Sequence, residues 1–270
     1  MSQAFTVIIP ARYASSRLPA KPLLDIAGKP MIQHVYEQAL KSEASEVIIA
    51  TDHAEIFAKA ESFGAKVLMT REDHESGTDR LQEVVSQLDL ADDAVVVNVQ
   101  GDEPLVPPSV INQTAALLTQ PEAKAVPMAT LFEYCENESQ VFDPNVVEVV
   151  TSETNQDALE QALYFSRAPL PWYRDGFAAY KAAESEKAQQ PLPKDIQYKR
   201  HLGIYAYRVA LLNQFVNWPM AKIEQVEKLE QLRVLANGQA INIALACESI
   251  PPGVDTQADL DKVREIFAQA

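Results

Sequence analysis

The sequence predicts an α/β protein built on a central, mostly parallel sheet, with an irregular insertion in its second half. Three observations carry that prediction. Short β-rich runs alternate with helical patterns between residues 5 and 69, the signature of strand–helix–strand units and a parallel sheet. The run AVVVNVQ at 94–100 is almost wholly apolar, as expected of a central strand covered on both faces. A chain of 270 residues, 47% of them hydrophobic, can bury a substantial core.

The elements follow in order. FTVIIP reads as the first strand. PMIQHVYEQALKS reads as a helix, because Met31, Ile32, Val35, Ala39 and Leu40 recur at helical spacing, with Pro30 where a first turn accepts it. EVIIATD, HAEIFAKAESFG and KVLMT then read as strand, helix and strand. In the second half VVEVVTS, ALYFSR and HLGIYAYR read as strands. The polar stretch 180–196, YKAAESEKAQQPLPKDI, lies between the last two and is expected to be a mobile loop. IEQVEKLEQLRVLANG reads as one helix ended by Gly238, INIALAC as a strand, and TQADLDKVREIFAQ as a terminal helix. No repeat or low-complexity linker divides the chain, so 1–270 is expected to form a single domain.

Composition narrows the function. A formal net charge of −15 argues against broad nucleic-acid binding, which needs Lys and Arg against phosphates. No apolar run is long enough to span a membrane, and MSQAFTVIIPAR lacks the order of a signal peptide. A soluble cytoplasmic protein is expected. Cys135 and Cys247 are far apart and outside any CxxC spacing, so they are read as free structural thiols.

Against that acidity, IIPARYASSRLPAKPL places Arg12, Arg17 and Lys21 together directly after a strand, without an acid. Open α/β sheets bind ligands at strand C-termini, so this loop suits a polyphosphate; three solvated cations are the plainer alternative. Neither GxxxxGK(S/T) nor GxGxxG is present. In HESGTDRL, Ser76 or Thr78 could cap a helix beginning near Asp79, whose free N–H groups would offer an anion or base site. His74 is read as a surface histidine. AVVVNVQ runs into GDEP, so Asp102 and Glu103 sit at a strand tip, and Asp255 precedes the last helix. Carboxylates so placed suit Mg²⁺, which takes one or two protein oxygens and completes its shell with phosphate and water; helix capping is the other role for Asp255.

Taken in order, IIPARYASSRLPAKPL, SGTDRL, VNVQGDEPL, ALYFSR, HLGIYAYR, EKLEQLR and GVDT resemble the 3-deoxy-manno-octulosonate (Kdo) cytidylyltransferases, the CMP-Kdo synthetases of Gram-negative bacteria. The resemblance spans residues 8 to 256. It implies a Rossmann-like, GT-A-type nucleotidyltransferase fold, usually homodimeric, with about 133–207 as a smaller sugar-binding and dimerisation subregion. The implied reaction joins CTP and Kdo, with Mg²⁺, into CMP-Kdo and pyrophosphate for lipopolysaccharide inner-core synthesis. Carried over, Arg12, Lys21 and Asp102 are the catalytic residues, with Ser15 and Arg17 on the same loop and Ser15 among the nucleotide contacts. Ser76, Gly77, Thr78 and Arg80 surround the cytidine, and Asp102 and Asp255 bind the metal. Gln100, Tyr164, Ser166, Arg167, His201, Tyr205, Glu230 and Gln231 face the sugar acid or the nucleotide phosphate.

Two features depart from the family. Gly is frequent there where this chain has Ala20, which implies a backbone conformation that a Cβ tolerates, and 180–196 matches no motif. Glu230 and Gln231 point about 100° apart on a helix. Glu227, Lys228 and Arg233 are expected on a solvated face. Of Tyr205 and Tyr207, one is expected to bind hydroxyls and the other to pack; Trp172 and Trp218 are expected to pack. The competing readings are a cytidylyltransferase for sialic acid or 8-amino-Kdo, a glycosyltransferase with an acidic Mg²⁺ motif, and a silent nucleotide-binding regulator.

Overall fold

The structure is a computed structural model that describes residues 4–14, 18–74, 76–120, 123, 126–152, 159–175, 177, 196–251 and 253–269. Ser15, Arg17 and nearly all of the expected loop 180–196 lie outside the described residues. The first half runs β1 (Phe5–Ala11), a 3-10 turn (Lys21–Leu23), the short pair β2 (Asp25–Ile26) and β3 (Lys29–Pro30), α1 (Met31–Ala39), β4 (Glu46–Thr51), α2 (Ala54–Ser62), β5 (Lys66–Met69), α3 (Gly77–Gln87), β6 (Val95–Asn98) and α4 (Pro108–Thr119). The second half runs β7 (Met128–Tyr134), α5 (Glu138–Val141), β8 (Glu148–Thr151), β9 (Ala162–Ser166), β10 (Lys199–Arg208), α6 (Val209–Phe215), α7 (Lys222–Glu227), α8 (Gln231–Ala236), β11 (Ile241–Leu245) and α9 (Gln257–Gln269).

The main sheet has the order β11-β7-β10-β6-β1-β4-β5. β6, β1, β4 and β5 are mutually parallel, as are β11 and β7. β10 alone on this path runs antiparallel to both neighbours. Its pairing with β7 is interrupted between Leu202 and Tyr205, around Gly203, and its first half meets β8, which carries β9. β6 is central, as its apolar run predicts: Val95, Val96 and Val97 are at most 1% exposed. Alternation does the rest. Val7, Ile9 and Val97 pack with Val35, Ile56 and Val110 of α1, α2 and α4 on one face. Ile8 and Val96 pack with Leu81, Leu212 and Leu232 of α3, α6 and α8 on the other.

Three features differ from expectation in ways that matter for the site. IEQVEKLEQLRVLANG is two helices, because Lys228 adopts the left-handed region (φ 58°, ψ 45°) and ends α7. Arg233 is not solvated: it donates to Glu224 Oε2 at 2.8 Å and Oε1 at 2.6 Å, both residues are buried, and its guanidinium lies 4.1 Å from the Phe215 ring centre. This pair locks the two short helices together. Ala20 is also left-handed (φ 51°), so the family's glycine is replaced at a position where a Cβ costs energy.

Candidate active site

Parallel β1 and β6 end at the same edge of the sheet, and the loops leaving them open onto a cavity of about 740 Å³. Gly101 makes their close approach possible. A Cβ there would stand 2.6 Å from the carbonyl oxygen of Pro10, so only glycine lets the β6 tip lie against β1. Asp102 follows at once, and its carbonyl accepts the Val254 N–H at 2.9 Å, which draws Asp255 alongside. Capping of α9 falls instead to Thr256, whose Oγ1 accepts the Asp259 N–H at 3.3 Å while its own N–H donates to Asp259 Oδ2 at 2.9 Å.

The Lys21 ammonium sits between these acids, 2.7 Å from Asp102 Oδ2, 3.1 Å from Asp255 Oδ1 and 2.9 Å from the Val254 carbonyl. Burial works against its charge, but Asp102 and then Asp255 outweigh it and hold its pKa above the ordinary value. Burial, and next the Asp102 charge, push the Glu103 carboxyl up to about 8. Arg12 lines the same wall, and its Nη2 is buried without a protein acceptor among the described residues.

The N-terminus of α3 forms the next part of the lining. Ser76 is its cap, accepting from Asp79 N–H at 3.0 Å while Asp79 accepts from Ser76 N–H at 3.1 Å, a reciprocal capping box. Ser76, Gly77 and Thr78 all line the cavity. The Thr78 hydroxyl does not cap; it donates to Glu230 Oε2 at 2.7 Å.

Arg80 departs from expectation. It is fully buried beneath the cavity rather than in its wall, donating to Thr70 Oγ1 and, at 2.6 Å, to Asp52 Oδ2. Helix geometry explains this, since residues 78 and 80 are about 200° apart around the axis. Asp52 Oδ1 accepts the Tyr13 N–H at 3.4 Å, so Arg80 braces the loop after β1 from below. His74, expected at the surface, is mostly covered and paired with Glu83.

On the opposite side lie Gln100, Arg167, Tyr205, Tyr207, Glu230 and Gln231. Both tyrosines line the cavity, and Tyr207, 3% exposed, is also part of the core, as one of the two was expected to be. The Gln100 amide donates to the Gly203 carbonyl at 3.3 Å. Gln231 is buried, with an Nε2 that has no protein partner among the described residues. His201 lies in an adjoining cavity of about 300 Å³ shared with Tyr205 and Gln231; it meets Thr130 Oγ1 at 2.9 Å, and burial pushes its pKa down to about 3, so it is neutral. Tyr164 falls outside both linings and packs against the core beside Phe165. Ser166 is also withdrawn, its hydroxyl donating to Glu227 Oε1 at 2.6 Å. Asp52 and Glu224 are supporting acids that the motifs do not mark, whereas Glu227, expected in solvent, opens the motif EKLEQLR.

The acids fit a divalent cation. Asp102, Asp255 and the Val254 carbonyl already converge on one positive group, the Lys21 ammonium, and an all-oxygen donor set is the one that hard cations take. Among the described residues no helix is long and apolar enough to cross a membrane.

Similarity to known proteins agrees with this geometry. The family model described as cytidylyltransferase matches residues 6–243. The chain is 58% identical to a 3-deoxy-manno-octulosonate cytidylyltransferase of Saccharophagus degradans, covering 96% of this chain and 97% of that one. It is 56% identical to the protein of the same name from Cellvibrio japonicus, covering 98% of each. A solved structure of a CMP:2-keto-3-deoxy-manno-octonic acid synthetase complexed with CTP superposes with a TM-score of 0.83 at 43% identity over 99% of both chains. A cytidylyltransferase from Leptospira borgpetersenii, 13% identical with a TM-score of 0.60 over 99% of this chain and 88% of that one, shares the fold. With its strand-tip acids, its basic loop and its full-length likeness to these proteins, the chain belongs to the 3-deoxy-manno-octulosonate cytidylyltransferases of the cytidylyltransferase family.

Proposed function

We propose that the chain transfers CMP from CTP to the anomeric 2-hydroxyl of Kdo, giving CMP-Kdo and pyrophosphate. The observation that carries this reading is the convergence of Asp102, Asp255 and Lys21 in the cavity that Arg12 also lines, with an Nη2 that is buried and has no protein acceptor among the described residues. That is a site for a triphosphate with a divalent cation, placed where the strand tips end.

The Kdo hydroxyl oxygen forms the new bond to the α-phosphorus in line with the departing pyrophosphate. Such transfer depends on positioning and on charge placed where charge builds. Arg12 and Lys21 supply it for the α-phosphate and the leaving group. Ser76, Gly77 and Thr78 hold the cytidine at the α3 N-terminus, with Ser15 contributing from the basic loop. Arg167, Gln100, Tyr205, Glu230 and Gln231 orient the sugar acid, with Arg167 matched to its carboxylate. Asp102 and Asp255 would hold Mg²⁺, which when bound neutralises phosphate charge and lowers the pKa of the attacking hydroxyl. Lys21 donates to the oxygens of Asp102 and Asp255 that would hold that cation, and its ammonium would supply positive charge to the phosphates.

In the same reading the enzyme is a cytoplasmic homodimer, the region 133–207 serves sugar binding and dimerisation, and the product supplies lipopolysaccharide inner-core synthesis. The deciding experiment is pyrophosphate release with each nucleoside triphosphate, with and without Kdo, in Mg²⁺ and then EDTA. Release should require CTP, Kdo and Mg²⁺ together. Absence of any Kdo-dependent release would sink the assignment.

A further inference from the structure

The turn that separates α7 from α8 does more than join them. Glu227 uses every acceptor it has on the tip of β9. Its Oε1 accepts from the Ser166 hydroxyl at 2.6 Å, its Oε2 from the Arg167 N–H at 3.0 Å, and its main-chain carbonyl from Arg167 Nε at 2.8 Å. The left-handed Lys228 stops the helix immediately afterwards, where a terminal carbonyl has no intrahelical donor and must find another. Arg167 Nη1 donates to the Pro144 carbonyl at 3.0 Å. The guanidinium is therefore fixed by two neutral carbonyls, while the Glu227 carboxylate is occupied by a hydroxyl and a main-chain N–H. Among the described residues no carboxylate forms an ion pair with Arg167, which lines the cavity.

We propose that Glu227 is a positioning residue for the sugar-acid half of the site: it aims Arg167 into the cavity without neutralising it, so that the guanidinium keeps its charge for the carboxylate of the incoming sugar acid. Three residues further on, Glu230 receives the Thr78 hydroxyl, so one short turn ties the Arg167 wall to the nucleotide wall. This inference rests on the functional reading above for its ligand, and on the hydrogen bonds alone for its geometry.

A double-mutant cycle tests it. Glu227→Ala should raise KM for Kdo about tenfold while KM for CTP and kcat change no more than about threefold. In an Arg167→Ala background the same change should move KM for Kdo by less than about twofold, since residues acting as a unit are not additive. Glu227→Gln, which keeps an acceptor for the Arg167 N–H, should recover most of the loss, and with Ser166→Ala it carries the same cycle if Glu227→Ala does not fold. An equal rise in KM for CTP, or an undiminished effect without Arg167, would overturn the proposal. Hydrogen exchange at the Arg167 main-chain amide gives a readout free of activity. It should speed up about tenfold in Glu227→Ala, and unchanged exchange would refute the positioning role. A wild-type protein that makes no Kdo-dependent pyrophosphate would instead count against the functional reading, with the exchange result standing by itself.

Discussion

The two walls of the cavity are built by different means. On one, Arg12 and Asp102 follow directly from the ends of β1 and β6, so the parallel register of two strands delivers them to one place. On the other, Arg167 and Glu230 depend on partners 60 and 152 residues away in the chain. Each wall also rests on a buried arginine. Arg80 lies under the first, paired with Asp52, and Arg233 under the second, paired with Glu224. Their electrostatics differ. Hydrogen bonding to Glu224 raises the pKa of Arg233, whereas burial, only partly offset by Asp52 and worsened by Arg12, lowers that of Arg80. The first wall thus crowds positive charge for an anion, Arg12 against Arg80, with Lys21 held between two acids, and the second is a frame whose hydrogen bonds hold side chains still.

If that division is right, breaking the first wall removes chemistry and breaking the second removes structure or sugar affinity. Asp102→Asn should cost turnover about a thousandfold or more while the CTP dissociation constant shifts no more than about threefold; pyrophosphate release and a nucleotide titration read the two. Binding lost in proportion to turnover would make Asp102 a holder rather than an actor. Glu224→Leu leaves the Arg233 cation buried without its partner and should cost about 3–5 kcal/mol in urea unfolding, with Glu224→Leu/Arg233→Met recovering most of it. Thr78→Val removes the tie between the walls. A hydroxyl bond to a carboxylate at about 1.5 kcal/mol predicts a KM for Kdo raised about tenfold, checked by initial rates at saturating CTP. Smallest is Ala20→Gly, which relieves the left-handed residue beside Lys21 and should stabilise the protein by up to about 1 kcal/mol in thermal melts.

The same contrast explains what could be read from the residues alone. The sheet order near β6 follows from one apolar run, and the strand-tip placement of Arg12 and Asp102 follows from adjacency, so that wall was legible. Ser76 as a cap was half legible, since the capping box leaves a local spacing. Arg80 was misplaced because its motif names a segment, whereas the helix turns its side chain to the far face. Glu227 and Arg233 were read as solvated because charged residues on short helices usually are, and their partners Ser166 and Glu224 announce nothing by spacing. The break at Lys228 was hidden for the same reason: no glycine marks it, and a non-glycine residue in the left-handed region leaves no trace in periodicity.

The bond from Val254 N–H to the Asp102 carbonyl has a consequence for how the protein comes to exist. Asp255 reaches Lys21 across 234 residues of sequence, and Leu260 and Val263 of α9 seal that segment against Leu18, Ile26 and Met31. A chain emerging from the ribosome has β1, β4 and β6 in hand well before its C-terminal segment is made. It cannot place the second acid until residue 255 has been made and α9 has docked. In the proposed reading the complete site is therefore among the last things the nascent chain acquires, since a half-made copy that already has Lys21 and Asp102 still lacks Asp255.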